Sequence, residues 1–236
     1  MSPARSTQAD NKRALAELRE RMRDPLLTAL TIALAFWMFV LAPLHASESL
    51  DADIVGFFLA LATTGALLIL SGKVLTAVPM ALAITLAAAA AWMRLREPSL
   101  LDMVLNATAW TIISAVLIWV VGKAVFAPGR ITYHRIMGAI LLYLAIGLVF
   151  VALYVFIGVA ATSAYAGISV KDSPVFSNAM IYLSFGALTT GGSGDIAPLH
   201  PFARSLYNVE AMIGQLYPAT LLARLVTLEI EEEERE

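Results

Sequence analysis

Thr189-Thr190-Gly191-Gly192-Ser193-Gly194-Asp195 is the stretch of this chain whose residue types and spacing could do chemistry. Two threonines, three glycines within four positions and a carboxylate make a poor helix or strand. They suit backbone whose carbonyls or amides line a bound ion. Taken alone, the cluster also reads as a surface turn, since glycine beside Ser and Asp is common there. The flanks tip the balance. Ser173-Pro174 supplies an N-cap and a first-turn proline, after which Val175 to Leu188 reads as a mainly apolar helix. At ~1.5 Å per residue it is about 21 Å long, too short to cross a bilayer and long enough to dip into one. Beyond Pro198 and Pro201, Leu206 to Leu228 is an apolar run able to cross, interrupted by Glu210 and Arg224. Half-helix, glycine loop and full helix, in that order, predict a re-entrant pore loop.

At these residues the chain resembles the potassium-channel pore family. That family carries Thr-Val-Gly-Tyr-Gly-Asp after a Thr, within a longer Ser-Phe-x-x-Leu-Thr-Thr context. Ser184, Phe185, Leu188, Thr189, Thr190, Gly192, Gly194 and Asp195 match it here. Pro198, Pro201, Ala203, Arg204 and the run Gly214-Gln215-Leu216-Tyr217 are similar to bacterial members with six helices per subunit. The likeness spans about His134 to Leu228. It departs at Gly191, where the family usually has Val, and at Ser193, where it has Tyr.

The resemblance implies a homotetramer whose filter, Thr190, Gly191, Gly192, Ser193 and Gly194, rings a monovalent cation, K⁺ or another. The carbonyls of Thr190 to Ser193 would replace the ion's water, with the Thr190 hydroxyl closing the inner end and Asp195 at the pore mouth. Gly186 and Ala187 would lie behind the filter, Gly214 at a gating bend of the inner helix, and Pro218 one turn later. In the family the Val and Tyr side chains pack against the pore helix. Gly191, Ser193, Gly186 and Ala187 are all small, so the loop is expected to lack that support and to discriminate weakly among monovalent cations. Glu210, costly as an unpaired charge at membrane depth, is expected behind the filter, hydrogen-bonded to the pore loop. Static close packing remains the alternative reading of Gly214 and Pro218.

Composition sets the class that must position this loop. With 59% hydrophobic and 14% charged residues, the chain of 236 residues is too apolar for a soluble protein and belongs in a bilayer. Charge-free runs predict spans at Leu26 to Leu44, Ile54 to Ser71, Val74 to Met93, Met103 to Gly122, Ile136 to about Val159 and Leu206 to Leu228. The expected architecture is therefore all-α: six transmembrane helices, with a re-entrant pore helix and filter loop between the fifth and sixth. It divides into an N-terminal segment at 1–24, a four-helix accessory domain at 25–127, a pore domain at 128–228 and an acidic tail at 229–236. Lys and Arg are concentrated in the N-terminal segment, at Lys73, and at Lys123, Arg130 and Arg135. That bias places both termini in the cytoplasm of a multi-pass cell-membrane protein.

Several function classes lose support at this stage. A net charge of -2 argues against a nucleic-acid partner, and the absence of cysteine excludes disulfides and thiolate chemistry. The three histidines fall in different connections, so no shared metal or haem site is expected, and no cofactor beyond the permeant ion. No serine has a plausible base beside it, so the chain is not read as an enzyme. Met103 to Gly122 contains no Arg or Lys, unlike a voltage sensor. Asn11 to Asp24 has helical spacing and suits either a solvated or an interfacial helix. The acidic run at Glu231 to Glu234 reads as a solvated end or as a cation-concentrating inner mouth. Two alternatives to a cation channel stay open, a non-conducting sensor or scaffold and a secondary transporter.

Overall fold

The computed structural model describes residues 25–47, 61–66, 74–126 and 133–233. The expected N-terminal segment, most of the expected span Ile54 to Ser71 and the last three tail residues lie outside the described residues. Among the described residues the protein is mostly helical, with four helices long and apolar enough to cross a membrane: α1 Pro25–Ala46, α2 Val74–Arg94, α3 Leu100–Val125 and α4 Tyr133–Ala160. Residues 61–66 are helical as well. The short apolar helix α5 Pro174–Leu188 follows, and then α6 Pro201–Glu233. The expected sixth span lies within α6, yet α6 is not among the four apolar helices. The end of that expected span, from Arg224 on, lies largely outside the residues whose side chains are described. Among the described residues, length and apolarity thus support four of the expected six spans and leave the second and sixth untested.

Local chemistry sets the boundaries. Ser99 begins α3 by a capping box: its hydroxyl accepts from Asp102 N–H, while the Asp102 carboxylate accepts from Ser99 N–H at 2.9 Å. Ser173 caps α5, accepting from Phe176 N–H at 3.2 Å, with Pro174 at the first helical position where no donor is needed. Inside α1, Pro43 has no N–H to give, and the preceding residues Trp37–Leu41 widen into a π-helical turn.

Packing builds two cores that share α4. Leu27, Leu30, Leu34 and Met38 recur at helical spacing along α1 and bury against α2, α3 and the first half of α4. The Thr31 hydroxyl reaches the Met137 carbonyl at 3.0 Å, so α1 and α4 run parallel from the same end. The second core joins Phe150, Tyr154 and Val155 of α4 to Phe176, Met180 and Leu183 of α5 and to Ala203 of α6. Small residues bring helices close: a Cβ on Gly147 would stand 2.6 Å from the Phe185 ring.

Two very short strands, β1 Tyr165–Ala166 and β2 Ala197–Pro198, pair antiparallel, with Tyr165 opposite Pro198. Leu199 N–H adds a bond to the Ala164 carbonyl at 2.8 Å. The chain thus enters α5 and leaves the glycine loop through one clamp.

Candidate functional site

α5 stops where its side chains stop favouring helix. Thr189 N–H still bonds the Phe185 carbonyl at 3.0 Å, and Thr190 N–H bonds the Ala187 carbonyl at 2.9 Å in a tighter last turn. Then the backbone changes hand. Thr190 has φ 56°, Gly192 φ 76° and Gly194 φ 45°, so every second residue occupies the left-handed region. Glycine adopts it freely. Thr190 is the one non-glycine residue with positive φ among the described residues, and strain of this kind gathers at functional sites.

The loop lies directly on the helix that delivers it. Gly192 N–H donates to the Gly186 carbonyl at 3.0 Å, and a Cβ on Gly186 would stand 2.6 Å from the Gly192 oxygen. Gly186 and Ala187 are both buried. Ser193 is buried, and its hydroxyl donates to the Ile196 carbonyl at 2.7 Å. The expectation of a loop lacking support is therefore corrected. Backbone contact at Gly186 and the Ser193 bond stand where larger side chains were sought. Thr189, Thr190, Gly191, Gly192, Gly194 and Asp195 remain exposed in the single chain.

Behind α5, Glu210 is completely buried on α6. One carboxylate oxygen lies within hydrogen-bond reach of the Ser184 hydroxyl, and the other accepts from Tyr154 OH at 2.7 Å. Ser184 also reaches the Gly147 carbonyl at 3.0 Å. Glu210 was expected to bond the pore loop. It instead bonds the middle of α5 and α4, because Ser184 is a full turn before the helix ends. Thus α4, α5 and α6 meet at one polar junction within apolar surroundings, where unpaired groups would be costly.

Gly214 marks the crossing of α6 over the end of α5. A Cβ there would stand 1.8 Å from the Leu188 carbonyl oxygen. The same carbonyl accepts from Tyr143 OH at 3.1 Å. Helix α6 continues through Gly214 and Pro218 to Glu233, so Gly214 serves close packing in this conformation, where a bend was the expectation. Pro218 supplies no N–H, which leaves the Gly214 carbonyl without its usual helical donor.

Sequence reasoning missed three participants. Gln215 donates to the Thr190 hydroxyl at 3.1 Å and so fixes the inner end of the loop from α6. From α4, Tyr143 holds α5 and Tyr154 holds Glu210 of α6. Tyrosines inside an apolar helix carry a signal, since a buried hydroxyl seeks a partner. Nothing in the linear spacing names that partner.

Comparison with protein-family models, with curated proteins and with solved structures finds no match. The functional reading therefore rests on the loop and its supports. Chemically, the arrangement presents exposed backbone carbonyls and one hydroxyl at the C-terminal end of a buried helix, where the helix dipole favours cations.

Proposed function

We propose that this chain is one subunit of a homotetrameric, potassium-channel-like cation channel with a re-entrant α5 and a filter at Thr190, Gly191, Gly192, Ser193 and Gly194. One observation carries the reading: a strained, exposed backbone loop is hung from the end of a short apolar helix in an otherwise membrane-type protein. Exposed irregular backbone does not face lipid; it lies against protein or water. Several copies around an axis provide both. The outward residues of α6, including Asn208, Met212, Gln215 and Leu216, support the same assembly, since polar and apolar side chains alternate there without cover in one chain.

In this reading α6 is the sixth, pore-lining span, and Asp195 lies at the outer mouth. Both termini are cytoplasmic. Monovalent cations pass with weak discrimination between K⁺ and Na⁺, because Gly191 brings no side chain and Ser193 only a short hydroxyl bond to Ile196 to hold the carbonyl rings. Anions are excluded by the dipoles of four α5 helices and by Asp195.

Purified protein in liposomes under bi-ionic K⁺ and Na⁺ tests the proposal. The expected result is a cation-selective conductance with a reversal potential near zero. Folded tetramers that pass no ion would overturn the channel reading in favour of a scaffold. A strongly K⁺-shifted reversal potential would retain the channel and refute weak selectivity.

A further inference from the structure

A cavity of about 330 Å³ lies between α1, α2, α3, α4 and the first turns of α5. Its size is at the lower end of the ~300–1,000 Å³ typical of small-molecule sites. It has two different ends. Near the helix termini it is lined by His45, Arg94, Asn106 and Asn178, and deeper by Ala87, Trp110 and Trp37. Arg94 and Ala87 are two turns apart on α2, so polar and apolar ends are separated by ~10 Å. Trp37 and Trp110 stack with ring centroids 5.1 Å apart and close the deep end.

The polar end is nearly neutral in what it offers. Arg94 Nη2 donates to Asp172 at 2.8 Å, and Nε faces Asp102 at 3.3 Å and Asp172 at 3.2 Å. Two carboxylates thus occupy the guanidinium that an anionic head would need, and neither carboxylate lines the cavity, so a cationic head would leave water with no carboxylate in the wall to meet it. The side-chain amides of Asn106 and Asn178 make no hydrogen bond to other described residues, and each offers both a donor and an acceptor.

We propose that this cavity binds an uncharged amphiphile: a single alkyl body lying against Ala90 and the tryptophan pair, with a hydroxyl head between Asn106 and Asn178. A cavity at the lower end of the small-molecule range suits a chain of medium length. Pro174, Ser177, Asn178 and Ile181 of α5 form one wall, so the occupant touches the helix that carries the filter. Binding itself does not depend on whether the protein conducts.

The tryptophans supply the assay. The chain has four, and Trp92 and Trp119 are exposed, so a Trp92→Phe, Trp119→Phe protein reports emission from Trp37 and Trp110 alone. In bilayer nanodiscs, decanol bearing a terminal bromine is titrated against this protein, with the matching carboxylate and ammonium as comparators. The expected result is saturable quenching by the alcohol, at least tenfold weaker for both charged probes. Ala90→Leu, which fills the cavity, should weaken the alcohol at least tenfold. Should that buried variant not fold, Asn178→Leu, at a half-buried position, should erase the preference for the alcohol. Quenching that rises linearly without saturation, or is unchanged in the variant that folds, would mean partition into bulk lipid and overturn the site. Equal quenching by all three probes would overturn the proposed head-group recognition.

Discussion

Glu210 illustrates how one side chain can hold three helices. Its two oxygens face hydroxyls from α4 and α5, and each contact crosses a helix boundary. Glutamine at this position offers an amide donor and a carbonyl acceptor in nearly the same shape. Glu210→Gln is therefore expected to melt close to the wild type, while Glu210→Ala leaves Tyr154 unpartnered beside a void and loses about 2–4 kcal/mol. Thermal unfolding in detergent ranks the three proteins, and equal melting of all three would remove the junction from the account. Gly214 and Pro218 form a second residue-scale test. A methyl at 214 meets backbone that cannot rotate away, so Gly214→Ala is expected to destabilise by about 1–3 kcal/mol or more. Pro218→Ala restores a helical donor on an exposed position and is expected to stabilise. Two shifts of the same sign would show that the residues act together as a bend.

Between elements, the cluster of Arg94, Asp102 and Asp172 ties the α2–α3 corner to the segment that starts α5. The Asp172 side chain is only 5% exposed. Burial, reinforced by its hydrogen bond with Asp102 and opposed by Arg94, raises its pKa from an ordinary 3.8 to about 6. A raised carboxyl pKa favours the folded state most when the group is protonated. Its contribution is full below pH 3.8 and is lost as the pH climbs through 6. The protein is thus expected to melt at a higher temperature at pH 5 than at pH 7 through this group, and Asp172→Asn should flatten that difference. An unaltered slope in the variant would assign the pH dependence elsewhere. The same scale shows which elements could be read in advance. The start of α5 was legible because Ser173-Pro174 is a chemical stop sign, and α3 was legible as a long uncharged run. The β1–β2 clamp was not, since two-residue strands carry no periodicity and their partners are more than thirty positions apart. Gly214 was misread because a glycine in a sequence looks the same whether it permits bending or a neighbour's approach.

For the whole molecule, α4 is the common wall. Its first half closes the core made with α1, α2 and α3, and its second half closes the one made with α5 and α6. That arrangement needs no moving charge. α3 carries no Arg or Lys between Met103 and Gly122, and moving charges through the field is what makes opening steep in voltage. If the protein conducts as proposed, open probability in symmetric, divalent-free solution should vary weakly with voltage, and a steep conductance–voltage curve would contradict this. The composition made the membrane class legible, and the glycine loop made the candidate site legible. The loop's anchoring by Gln215 and the partners of Glu210 were not, because these contacts arise only when the folded chain brings them within reach.

The clamp formed by Tyr165–Ala166 and Ala197–Pro198 separates inheritance of fold from inheritance of chemistry. Because the chain returns to the point from which it departed, the end of α4 and the start of α6 are held together whatever lies between. Exposed loop residues such as Gly191 can therefore vary one at a time without redirecting the helices around them. If the protein conducts as proposed, substitutions within residues 167–196 should alter ion preference and leave the packing of α4 against α6 intact.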